Sequence, residues 1–136
     1  MIKIPMIVAN DHLENTIVFD PTKVDYMLEV ERGLLLLYFE KSCAEYIKCK
    51  DISDFVELFL PYGIPVPVST VSGHTCIVMF NKIMKITDEV KYRTITFAEN
   101  THQLKVVDTV KDLCKRSTGE DESDDTENEE VGNRQE

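Results

Sequence analysis

Two short motifs place soft ligands close enough in the chain to suggest a metal. Cys43 and Cys49 are separated by five residues, and His74-Thr75-Cys76 adds an imidazole and a third thiol. Together they form the four-ligand N/S set that tetrahedral zinc takes. Zinc cysteines are usually paired across two to four residues, however, and a strand between Cys43 and Cys49 would hold the thiols apart. Unpaired cysteine is also among the most buried residue types, so core thiols and no metal site are expected. A hydroxyl and an imidazole also meet in Ser72-Gly73-His74. Nucleophilic catalysis needs a base oriented by a third group, and no G-x-S-x-G elbow is present. Asp11-His12 and Glu99-Asn100-Thr101-His102 read as loop histidines. Asp20 with Asp25, or Glu29 with Glu31, would suit acid–base work only if each pair lined one cleft. The five glycines, at 33, 63, 73, 119 and 132, form no phosphate-cradling loop. No catalytic residue, cofactor or metal is assigned, and a small enzyme is the third-ranked function.

A further pattern interleaves bases with aromatics. Residues 81–116 carry eight bases against five acids, whereas residues 1–80 carry six against eleven. Strand platforms for single-stranded nucleic acid combine such charge with stacking rings. The candidate binding residues are Lys82, Lys85, Lys91, Tyr92, Arg93 and Lys105. In a regular strand Tyr92 and Phe97 fall on opposite faces, and the plain alternative is a solvated hairpin whose rings face the core. After Arg116 the composition changes abruptly. Residues 117–136 hold nine acids and one base, a balance of −8 within the chain's −10, and Val131 is their only large aliphatic. Such a segment cannot bury enough apolar surface to offset its ordering entropy and is expected to be disordered. Ser117, Thr118 and Thr126 each have an acid three residues on, a spacing that acid-directed kinases favour. In composition, the basic platform and acidic tail resemble single-stranded DNA-binding proteins. Their tails end on an aromatic or apolar anchor, whereas this one ends Asn133-Arg134-Gln135-Glu136.

Several classes are excluded by what the chain lacks. The longest apolar run, Leu34 to Phe39, is far short of a membrane span, and the first residues make too short a stretch for a secretion signal. An intracellular protein, cytoplasmic or nuclear and with reduced thiols, is expected. No membrane partner is expected.

The elements that must position these residues follow from hydrophobic periodicity. Ile2 to Val8 alternates as an edge strand containing Pro5, and Thr16 to Phe19 is a second strand. Tyr26 to Val30, the turn Arg32-Gly33 and Leu34 to Phe39 form a hairpin, preferred over a helix from Thr22 to Lys41 that would carry Gly33 in its middle. Asp51 to Leu60 is a helix burying Ile52, Phe55, Val56, Phe59 and Leu60, started by Asp51 or Ser53 and stopped by Pro61. Pro65 and Pro67 make residues 64–68 an edge or an extended connector. Cys76 to Phe80 and Lys91 to Phe97 form a second hairpin turning at Asp88-Glu89. A closing helix covers Gln103 to Lys115. No internal repeat appears.

The expected fold is α+β: a mostly antiparallel sheet of hairpins with one packed helix and a C-terminal helix. Residues 1–116 form a single domain, followed by the acidic segment 117–136. The leading function is a non-enzymatic protein-interaction or regulatory module, whose body docks a protein partner while the tail aids solubility or engages a basic surface. The alternative is a single-stranded nucleic-acid-binding protein that its own tail autoinhibits.

Overall fold

The computed structural model describes residues 5–100 and 102–118. It is α+β and mostly antiparallel, as expected. Strand β1 (Ile7–Asn10) pairs with β2 (Thr16–Phe19) as a two-stranded ribbon. A five-stranded sheet runs in the order β5-β4-β3-β7-β6, from β3 (Val24–Glu31), β4 (Leu34–Phe39), β5 (Cys43–Lys48), β6 (Pro65–Ser69) and β7 (Thr75–Met79). A three-stranded sheet, β10-β9-β8, is built from β8 (Ile83–Asp88), β9 (Arg93–Phe97) and β10 (Gln103–Val106). The helices are α1 (Ile52–Glu57) and α2 (Val110–Ser117).

The β3–β4 hairpin forms as the sequence predicts. Gly33 takes a φ of 89°, which a residue with a Cβ rarely adopts, and this closes the turn. Asp51 caps α1 by accepting from the Ser53 and Asp54 amides at 2.9 and 3.4 Å. The helix ends sooner than its periodicity implied, so Phe55 and Phe59 are buried while Leu60 is turned to solvent. Pro65 and Pro67 lie in the edge strand β6, opposite Met79 and Ile77.

Other expectations are corrected. The strand at Cys76 does not turn back onto the strand at Arg93. It joins the five-stranded sheet between β3 and β6, and the intervening β8 makes the hairpin with β9. Strand β8 escaped notice because a bulge between Ile83 and Lys85 puts its packed residues, Ile83 and Ile86, three apart instead of two. The single helix over Gln103–Lys115 is instead β10 followed by α2. Leu104 and Val106 alternate into the core as a strand, and Thr109 starts the helix by accepting from the Asp112 amide at 3.1 Å. The first strand begins later than predicted; Ile2 to Ile4 lie outside the described residues. Strand β5 is an addition. Residue 117 still belongs to α2, and the rest of the predicted disordered tail, from 119 onward, lies outside the described residues.

Two cores lie on opposite faces of the five-stranded sheet. Met27, Leu35, Leu37, Ile47, Ile77 and Met79 pack beneath the ribbon, through Ile7 and Phe19, and beneath Phe55 and Phe59. On the other face Tyr26, Cys76, Val78, Val66 and Val68 meet Ile95, Phe97, Leu104 and Val106 of the small sheet and Leu113 of α2. The small sheet covers only the β3-β7-β6 half of that face.

Candidate binding face

The thiols do not converge. Cys43 and Cys49 lie at opposite ends of β5, whose six residues extend roughly 20 Å. Cys76 is fully buried in β7, where burial raises its thiol pKa far above the usual value. Among the described residues no three His, Cys, Asp or Glu side chains gather as a metal site. Ser72 and His74 do meet, with Oγ and Nδ1 2.9 Å apart, and Thr70 Oγ1 is 3.0 Å from Ser72 Oγ. Thr70 Oγ1 also accepts from the His74 amide at 2.9 Å, and the Gly73 amide donates to the Thr70 carbonyl. These bonds close the β6–β7 turn, and among the described residues no carboxylate pairs with the imidazole to orient it as a base.

The carboxylate pairs are placed differently. Asp20 accepts from the Thr22 amide and hydroxyl at 2.9 and 2.6 Å, away from Asp25. Glu29 and Glu31 share an open hollow of about 440 Å³ with Arg32 and His74. Asp25, the bulged residue of β3, is 1% exposed. It accepts from Asn100 Nδ2 at 3.1 Å and lies 4.0 Å from Lys82 Nζ, whose ammonium also bonds Glu40. Burial raises the Asp25 carboxyl, while the Asn100 bond and Lys82 pull it down. Asn100 also donates to the Phe39 carbonyl and accepts from the Ser42 hydroxyl and the His102 amide. This clamp ties the loop after β9 to the large sheet.

The six basic and aromatic candidates divide. Lys82 belongs to the Asp25 clamp. Arg93 is fully engaged: Nε donates to the Asp108 carbonyl at 2.9 Å, Nη2 to the Val107 carbonyl at 2.9 Å and Nη1 to Asp88 at 3.1 Å. Lys85 and Lys105 are opposite Thr96 and Thr94 of β9, on the outer face of the small sheet. Lys105 Nζ stands 5.0 Å from the Tyr92 ring centre, and Lys91 is exposed in the nearby turn. Phe97 faces inward, nearly inaccessible.

The half-face left open on the large sheet was not singled out from sequence. Register places Leu28, Leu36 and Tyr46 in one row across β3, β4 and β5, and Tyr26, Tyr38 and Ala44 in the next. Leu36 and Tyr46 belong to neither core, and Tyr46 is 40% exposed. An aromatic file crosses this face. Tyr26 stacks between Phe97 and Tyr38, with centroids 5.2 and 4.4 Å away, while His102 meets Tyr38 edge-on and His12 meets Tyr46 likewise. Where the small sheet begins, Tyr26, Leu28 and Tyr38 form one wall of a cleft of about 390 Å³. Val71, Leu104 and Lys105 line the opposite side, with hydroxyls from Thr70 and Ser72. Burial raises the Tyr26 phenol far above its usual range, so the group is a proton donor. A second apolar patch, Val8 opposite Val18, lies on the outer side of the ribbon.

Among the described residues no helix is long and apolar enough to cross a membrane. No family model matches the chain, and no curated protein or solved structure matches it.

Proposed function

We propose that the protein is a non-enzymatic interaction module that docks a protein partner on the open half of its five-stranded sheet. The observation that carries this is the row Leu28–Leu36–Tyr46: an exposed ring and two half-buried leucines side by side, next to an aromatic file, on a sheet whose opposite face is covered. Contiguous apolar and aromatic surface of this kind is where partners bind, because desolvating it is favourable and rings order at low entropic cost. Lys105 adds a positive charge at its rim, and the His12 and His102 rings lie along its margins, so a segment bearing acids complements it. Selection of a displayed random-peptide library on the full chain tests this. Binders should be lost on Leu36→Thr with Tyr46→Thr and kept on Val8→Thr with Val18→Thr. The opposite pattern would move docking to the ribbon.

The second function is single-stranded nucleic-acid binding on the outer face of the small sheet, with residues 117–136 as a competing polyanion. It is favoured by Lys85, Lys91, Lys105 and Tyr92 coming together there. Salt-dependent affinity for an oligothymidylate, with and without residues 117–136, tests it. Binding that does not strengthen at low salt on truncation removes it.

A further inference from the structure

Tyr26 is 4% exposed, and its hydroxyl has no hydrogen-bond partner among the described residues. A buried donor without an acceptor is costly, and in a side chain that lines a cleft it points to a group supplied from outside. Beside it, pairing between the two sheets stops abruptly. A lone bridge joins Thr70 to Val106, the Val71 amide donates to the Lys105 carbonyl and the Val107 amide to the Ser69 carbonyl, and among the described residues no strand flanks Gln103 and Leu104 on that side. An exposed strand edge of this kind accepts another extended chain. None of the described residues lining the cleft is acidic, and Lys105 stands among them.

We infer that the cleft is a groove for an extended acidic peptide. The peptide runs along the Gln103–Leu104 edge, lays apolar side chains on Leu28, Leu36 and Tyr46, turns one carboxylate into the cleft to accept from the Tyr26 hydroxyl, and presents its alternate carboxylates to the Lys105 ammonium on the outer face of the small sheet. This rests on docking at the open face and specifies the chemistry of the partner. A small ligand would fill the cleft yet leave Leu36 and Tyr46 wet, so an extended chain fits better. Nucleic acid fits less well, because His102 and His12 already engage the accessible Tyr38 and Tyr46 rings and Lys105 is the only base among the described residues of the lining.

Fluorescence anisotropy on the full chain decides it, using three labelled dodecapeptides with the same alternating apolar residues and intervening positions that are all Glu, all Gln or all Lys. The Glu peptide should bind at least tenfold more tightly than the Lys peptide and weaken with salt, and Lys105→Gln should erase most of its advantage over the Gln peptide. Tyr26→Phe should weaken the Glu peptide about tenfold, the scale of one hydrogen bond to a charged group. In the free protein the same change should leave the melting temperature unchanged or raised, because it removes an unpartnered buried hydroxyl. A lower melting temperature, equal affinity for all three peptides, no binding by any, or displacement of the Glu peptide by oligothymidylate would each overturn the inference. Binding lost in Leu36→Thr and Tyr46→Thr but indifferent to Tyr26→Phe would overturn the groove alone and leave docking at the open face standing.

Discussion

Replacing Lys82 with Met should be among the most damaging single changes in this protein. Its ammonium is shared by two carboxylates: Glu40, in direct hydrogen-bond contact, and Asp25, 4.0 Å away and almost wholly inaccessible. At that separation a pair of unit charges attracts by about 4 kcal/mol under the effective dielectric that suits protein sites. Removing one partner of a buried pair typically costs about 3–5 kcal/mol, because the remaining charge keeps its desolvation penalty and loses its compensation. That is the loss expected at pH 7. Its pH dependence has a definite sign. The folded Asp25 carboxyl is raised, first by burial, so the native state holds this proton more tightly than the unfolded chain does. Loss of Lys82 removes a downward pull and raises the carboxyl further. The unfolded chains titrate alike, so the extra instability should grow as pH rises through the interval between the two folded Asp25 values, both above the unfolded value of about 3.9, and shrink on acidification. Urea unfolding of both proteins at pH 7 and pH 5 measures it. Asp25→Asn in the same background should return much of the loss at pH 7. A deficit below about 1 kcal/mol at pH 7, or one equal at the two pH values, would refute the clamp as described.

Phe59→Ala should cost about 3–5 kcal/mol by urea unfolding, since its ring is wholly enclosed beneath the large sheet, and Phe55→Ala should cost somewhat less because its ring reaches the surface. Arg93→Ala frees the Asp108 and Val107 carbonyls, which should cost about 1–3 kcal/mol and speed amide exchange in α2 before exchange in β3. Under native conditions a thiol reagent should modify the exposed Cys43 and Cys114 first. Cys76 should react only on unfolding, because it is inaccessible and its thiol is raised by burial.

The elements legible in the sequence were those whose local signals agree with their tertiary setting. Gly33 between apolar runs gives the β3–β4 turn, Asp51 before a helical spacing gives α1, and two prolines give the edge strand β6. Strand β8 was obscured because the bulge near Met84 spoils the period on which strand recognition depends. Strand β10 was obscured because Leu104, Val107 and Val110 fall at helical spacing by coincidence, although Val107 ends up exposed beyond the strand. The candidate site was harder still. Leu34 to Phe39 reads as one apolar run, and nothing local says that Leu35 and Leu37 are covered while Leu36 is not. That division depends on how far a second sheet, distant in sequence, extends. The Tyr26 hydroxyl, without a hydrogen-bond partner among the described residues, likewise emerges only from the packing around it. The alternation of Leu28, Leu36 and Tyr46 across three strands was a usable signal only once β5 and its register were known.

The outward side of β6 bears on how these molecules behave in a crowd. Pro65 and Pro67 have no amide hydrogens to offer, the Pro67 carbonyl accepts from Arg116 at 2.9 Å, and the Ser69 amide donates to Asp108 at 2.7 Å while its carbonyl receives the Val107 amide. This margin of the sheet is thus sealed by prolines, side chains and the Val107 amide in place of a full neighbouring strand. Another molecule finds no ladder to extend there, so fibril growth or strand exchange through β6 would first require α2 to peel away. Arg116, paired with Asp108 and bonded to the Pro67 carbonyl, ties that helix to the margin it covers.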